Sequence, residues 1–415
     1  MFKVKRLVLD NGLNVILIND KTKNAKTAYL TVNVGGFVKD FKMDGKEYHL
    51  NYGIAHFLEH YLIENSIYGN VMSVFSSEYI ESNGFTAPNR TVFFINTVHD
   101  FEDNLVKLLN VVNNPKFTED KINDIKIPVL REIDKSLDNP YRKVHKYSFE
   151  NTFKAIPYDV TLGEHKDIET IKLKDIKAFH EAFYNAKNEL LVVSGNINEK
   201  EIIKLINDTY DTFKNNDHVV EREKFKEVDK VVKEECETTG IEDFVKVTYK
   251  VNVSKIKPVD KDKLSYYLSF LMFNNFSERS SLFKYILDNK ISSFAISSNV
   301  EFGLSKDYLV VTFIMYTDKF DIGTKLIKDK MNNLEFDKEL FKVWKNKHII
   351  TQINSLENFN TVVRDYMDNI YLYDHYSYDD IDFIRDLNID ECNKFINKLD
   401  FSNVNVTICK KEVKE

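Results

Sequence analysis

Residues His56-Phe57-Leu58-Glu59-His60 constrain this chain more than any other stretch. On a helix of 3.6 residues per turn, positions 56 and 60 project from one face and position 59 stands beside both. Two imidazoles on one face suit zinc, which takes nitrogen ligands at tetrahedral angles. A carboxylate beside such an ion can accept a proton from water, whose pKa zinc lowers to about 7. Catalytic zinc keeps three protein ligands and one open position, so a third ligand has to come from elsewhere in the chain.

A helix that can supply it follows. Thr118-Glu119-Asp120-Lys121 reads as a helix start, with a capping residue and acids in the first turn. Ile122, Ile125, Val129, Ile133 and Leu137 continue as a helical stripe that stops before Asp138-Asn139-Pro140. Glu132 lies on this helix, where its carboxylate can return to the metal.

At 415 residues the chain is too long for one ordinary core, and two domains of about 200 residues are expected. Ala28, Leu30, Val32 and Val34 alternate with polar or aromatic neighbours, as in a half-buried strand. Val245, Val247, Tyr249, Val251 and Val253 do so again in the second half. Asp100 is expected to cap a helix carrying Phe101, Leu105, Leu108, Leu109 and Val112. Residues 216–235 are charge-rich and read as a linker between a first domain, 1–215, and a second, 236–415. Asn403 to Ile408 echoes Asn188 to Val193, a hint of internal duplication.

A net charge of −7 without a clustered basic face argues against a nucleic-acid partner. No secretory signal and no apolar run of about 18 residues is evident, so neither export nor membrane insertion is expected. Cys236, Cys392 and Cys409 are scattered and read as reduced thiols of a cytoplasmic protein. Glu164-His165 and His180-Glu181 lack ligand spacing and read as surface or packing pairs, and His99, His145, His218, His348 and His375 stand in no motif. Trp344 is expected in the core.

Gly53-Ile54-Ala55-His56-Phe57-Leu58-Glu59-His60 resembles the signature of the pitrilysin/insulinase family of zinc metallopeptidases. Further segments resemble the family in order: Asn11-Gly12-Leu13, Asn83-Gly84-Phe85-Thr86 with Arg90 to Phe94, Arg131-Glu132-Ile133, Pro157-Tyr158 with Gly163, and Asn188 to Gly195. The resemblance implies an α+β fold of two similar domains, each a mainly antiparallel sheet with helices on one face. It implies Zn2+ held by His56, His60 and Glu132, with Glu59 activating water for hydrolysis of peptides or small unfolded proteins. It also implies that Asn83, Gly84 and Phe85 bind the peptide as an added strand. A non-catalytic peptide-binding or structural subunit is the competing expectation.

Three departures from the family pattern stand out. Relatives often have a glutamate seven residues before the third ligand, where this chain has Ile125 beside Asp124. Pro128 interrupts the helix that carries Glu132. Complete members also carry an Arg and a Tyr after an element like Ser280-Ser281-Leu282-Phe283. Those positions read here as about Leu287 and Ser293, with Arg279 and Tyr285 close by at other spacings. The chain therefore resembles the zinc-bearing subunit of two-subunit bacterial members. A heterodimer with a homologous subunit that supplies Arg and Tyr is expected, and a homodimer is the second choice.

Overall fold

A computed structural model describes residues 3–214, 218–223, 225–305, 307–357 and 380–412; His375 lies outside the described residues. Strands β1 (Lys3–Val8), β2 (Asn14–Asn19), β3 (Lys26–Val32), β4 (Asp40–Met43) and β5 (Lys46–His49) come first. Helices α1 (Ile54–Glu64) and α2 (Val71–Ser77) and strands β6 (Glu81–Thr86) and β7 (Thr91–Thr97) follow. Next come α3 (Phe101–Asn113), α4 (Lys121–Leu137), α5 (Arg142–Thr152), α6 (His165–Thr170), α7 (Leu173–Phe183), β8 (Glu189–Gly195), α8 (Glu199–Tyr210) and β9 (Val220–Arg222). The second half holds β10 (Glu235–Gly240), β11 (Phe244–Asn252), α9 (Pro258–Phe276), α10 (Ser281–Asp288), β12 (Ser297–Ser305) and β13 (Tyr308–Tyr316). It closes with α11 (Phe320–Asn332), α12 (Lys338–Glu357), α13 (Asp380–Asp386), α14 (Ile389–Ile396) and β14 (Val404–Lys411).

The chain divides into two units, one of residues 1–136 with 159–224 and the other of 137–158 with 225–415. The first contains a six-stranded sheet in the order β1-β2-β8-β3-β7-β6, and the second a five-stranded sheet in the order β10-β14-β11-β13-β12. Without β1, the two orders correspond strand for strand. Each sheet has one parallel pair, β2 with β8 and β10 with β14, and its other pairs are antiparallel. The duplication hinted at by the echoing strands is thus a duplicated topology.

Alternation along the strands decides which face meets the helices. Ala28, Leu30 and Val32 of β3 join Leu105, Leu108, Leu109 and Val112 of α3 in the first core. Val245, Val247, Tyr249 and Val251 of β11 do the same in the second core, together with Leu264, Leu268 and a fully buried Trp344. Asp100 departs from expectation: it precedes α3 in a left-handed conformation and makes no side-chain cap. Among the described residues no helix is long and apolar enough to cross a membrane. All three cysteines are free and buried.

Residues 137–158 fall in the first half by sequence but pack with the second unit. There α5 covers the reverse face of the sheet, where Val144 meets Phe244 and Cys409. Its buried residues, Val144, Ser148, Asn151 and Thr152, have helical spacing but are mostly polar, so hydrophobic periodicity does not reveal them. The same face carries Lys250, whose ammonium pairs with Glu227 at 2.8 Å; the two side chains are 0% and 3% exposed. Lys250 Nζ also donates to the Val228 carbonyl at 2.6 Å. Glu227 accepts backbone N–H bonds from Lys154, Ala155 and Ile156. The charged stretch 216–235 thus sends one carboxylate into the interior of the second unit.

Among the described residues, the first unit contains a buried carboxyl, Glu189, without a cation beside it. Glu189 accepts from the Tyr210 hydroxyl at 2.5 Å, while its other oxygen is buried without a partner among the described residues. Burial raises its pKa to about 7, against the opposing hydrogen bonds from Tyr210 and Asn113. The folded protein therefore holds a proton that the unfolded chain has released once pH exceeds the ordinary glutamate value. Stability falls as pH climbs from there towards 7, by roughly 3 kcal/mol for this group. Glu189→Gln should flatten that slope and gain most at pH 8 in denaturant titrations; a slope unaltered by the substitution would contradict the assignment.

Candidate active site

The site is built on α1, α4 and β6, all in the first unit. Gly53 starts α1 at φ +80°, and a Cβ there would stand 2.5 Å from the Leu162 carbonyl oxygen. Gly163, at φ +72°, comes equally close to the Tyr52 carbonyl oxygen, at 2.6 Å. The two glycines let loop 159–163 approach the start of α1, which fixes where the helix begins and so where His56 and His60 point. At the other end of α1, the Thr118 N–H donates to the Tyr61 hydroxyl at 2.7 Å, and that hydroxyl donates to the Thr118 carbonyl at 3.1 Å. Asn65 donates to the Lys116 carbonyl at 3.0 Å. These bonds register α1 against the approach to α4. Thr118 is held by α1 in this way, and the helix itself starts at Lys121.

Glu132 of α4 reaches both imidazoles. His56 Nε2 and His60 Nε2 each lie 3.3 Å from one of its oxygens, and the rings stand 4.7 Å apart. Pro128 sits inside α4 without diverting Glu132 from the histidines. Ligand atoms about 2.0–2.2 Å from a tetrahedral zinc lie roughly 3.3–3.6 Å apart. One ligand atom from each of His56, His60 and Glu132 falls in a group whose members are all within 4.8 Å of one another. Two imidazoles and one carboxylate converging at these separations fit zinc. Among the described residues no other metal-capable cluster occurs.

The outer contacts are uneven. His60 Nδ1 is braced by Glu64 at 3.3 Å, whereas His56 Nδ1 is buried without a partner among the described residues. Ligating histidines are normally oriented by such outer bonds. Ile125, where relatives often place a glutamate, is buried in the core. The Glu132 carboxyl is held below its ordinary range, first by its bond to His56 and against partial burial. Glu59 is only 5% exposed. Burial raises its pKa to about 7, opposed by His60 and by the Thr86 hydroxyl, which donates to Oε2 at 3.0 Å.

These groups open into a cleft of about 430 Å³ whose lining includes His56, Glu59, His60 and Glu132 together with Asn83, Gly84 and Phe85. The seven residues singled out in the sequence are therefore neighbours. Among the described residues, strand β6, which carries the last three, is an edge strand with one side unpaired in its sheet. Sequence reasoning missed Thr86, Glu64 and Tyr61 as supporting residues. Glu64 was accessible from its spacing, four residues after His60 on the same helix. The pairs read as surface or packing residues behave so: His180 is buried and bonded to the Val112 carbonyl at 2.8 Å, and His165 pairs with exposed Asp134. Tyr285, in the second unit, is 51% exposed on α10.

A family profile described as insulinase (peptidase family M16) matches residues 14–163, and one described as the peptidase M16 inactive domain matches 170–346. A Bacillus subtilis protein described as the uncharacterized zinc protease YmfH is 30% identical over 233 residues, which are 55% of this chain and 54% of that protein. The chain thus aligns with about half the length of this relative. An M16-like peptidase from Alicyclobacillus acidocaldarius has the same fold, with a TM-score of 0.86, 18% identity and 99% of both chains covered. The periplasmic protease PqqL of Escherichia coli matches 98% of this chain with 47% of its own, at a TM-score of 0.76 and 14% identity. A duplicated α+β fold with a His–His–Glu cluster beside an edge strand defines the class of protein. The chain belongs to the pitrilysin/insulinase family, peptidase family M16.

Proposed function

We propose that this chain is the zinc-bearing subunit of an endopeptidase that hydrolyses peptides or small unfolded proteins. The observation that carries this reading is the meeting of His56, His60 and Glu132 beside a buried Glu59, in a cleft floored by an open strand edge. His56 Nε2, His60 Nε2 and the Glu132 carboxylate would hold the ion. Bound zinc would polarise the scissile carbonyl and the attacking water. Glu59 takes the proton of that water and returns it to the leaving amine. An extended peptide adds to β6 through main-chain bonds along Asn83, Gly84 and Phe85, which gives affinity with little sequence preference. Three buried free thiols support a reducing, cytoplasmic setting.

The likeness to half of a longer protease supports pairing with a second chain. Arg279 and Tyr285 stand at spacings that do not fit the oxyanion-stabilising pair of complete relatives. The partner is a homologous subunit without His-x-x-Glu-His that supplies an Arg and a Tyr, and the pair encloses the substrate. Losing one oxyanion donor costs on the order of 10²–10³ in rate. The chain alone should therefore be nearly inactive on a peptide library, and activity should appear on mixing with the partner and vanish with a chelator. Robust hydrolysis by the chain alone, undiminished on substituting Arg279 and Tyr285, would refute the division of labour. The competing reading, a non-catalytic subunit, draws on the inactive-domain profile over residues 170–346.

A further inference from the structure

The hydroxyl that holds Glu59 comes from the strand offered to the substrate. Thr86 Oγ1 donates to Glu59 Oε2 at 3.0 Å. Gly84 lies two positions earlier, on the same face of β6. A Cβ at Gly84 would stand 3.0 Å from Glu59 Oε1, 2.8 Å from Ile63 Cδ1 and 3.3 Å from Phe93 Cδ1. Gly84 is not among the residues with positive φ, so its backbone does not require glycine. The atoms a Cβ would meet there are the ends of the Glu59, Ile63 and Phe93 side chains.

We propose that Thr86 is a positioning residue for Glu59. The Thr86 hydroxyl holds one carboxylate oxygen, Oε2, from the strand that flanks the site. One strand then both receives the peptide and aims the base, so a substrate docked along β6 lies in register with the group that takes the proton. This inference rests on the reading of Glu59 as that group.

The geometry assigns distinct effects to distinct changes. Thr86→Val keeps shape and removes the hydroxyl, freeing the carboxylate to turn. A misplacement of about 1 Å can cost on the order of 10²-fold in rate. Peptide hydrolysis by the zinc-loaded full chain, assayed with its partner subunit, should show kcat about 10- to 100-fold lower with KM within about twofold. Thr86→Ser should recover most of the loss.

A second measurement needs no turnover. Thermal melts of the zinc-loaded chain as Thr86→Val, Glu59→Ala and the double variant should be non-additive by about 2–4 °C, since Thr86→Val loses its target once Glu59 is gone. Additive melting shifts, or a kcat untouched by Thr86→Val while Glu59→Gln is inactive, would overturn the positioning role and leave the peptidase reading standing. Full activity in Glu59→Gln would instead bring down the peptidase reading and this inference with it.

Discussion

Glu59→Gln is expected to leave zinc bound and to lower peptide hydrolysis by about 10²–10⁴-fold. The substitution keeps the size of the side chain, and the amide oxygen can still accept from Thr86 Oγ1, which lies 3.0 Å from the carboxylate. It does not touch His56, His60 or Glu132, whose convergence defines the metal site. What it removes is an oxygen able to take a proton. Turnover and zinc content measured on the same preparation separate the two roles. Full turnover in the variant would remove Glu59 from the chemistry, and loss of zinc would mean that Glu59 supports the metal.

Lys250→Met is expected to destabilise the second unit by about 3–5 kcal/mol, the usual cost of leaving one member of a buried ion pair unpaired. Lys250 is enclosed: its ammonium meets Glu227 and the Val228 carbonyl, and lies 4.9 Å from the ring centres of both Phe153 and Tyr308. Its removal leaves the Glu227 carboxylate held by backbone N–H groups alone. Pairing Lys250→Met with Glu227→Gln should recover part of the loss, because no charge then stays buried. Denaturant titration reads both changes. A single variant as stable as the native chain would show that the pair contributes little.

The sequence revealed most where chemistry and periodicity coincide. His56, Glu59 and His60 were legible because helix spacing alone puts them on one face, whereas Glu132 stood out among the acids of its helix only through the resemblance of Arg131-Glu132-Ile133 to the family's ligand segment. Strand alternation in β3 and β11 gave the two sheets their inward faces. What the sequence hid depends on contacts between distant segments. α5 joins the second unit through a mostly polar stripe, and Glu227 is a buried anchor inside a stretch whose charges suggest a solvated linker. The Thr86 contact to Glu59 was hidden for the same reason, since nothing local to β6 tells where α1 will lie. Gly53 and Gly163 are intermediate: each was visible in a family-like segment, but their shared task of seating α1 emerges only from the close approach of two backbones.

The proposed chemistry depends on a metal held by three residues of the first unit. Zinc content of the purified full chain, before and after incubation with zinc and removal of the excess, tests this most directly. About one zinc per chain is expected, falling close to zero in His60→Ala and in Glu132→Ala. A native chain that stays near zero after zinc addition would contradict it and favour a peptide-binding subunit without catalysis.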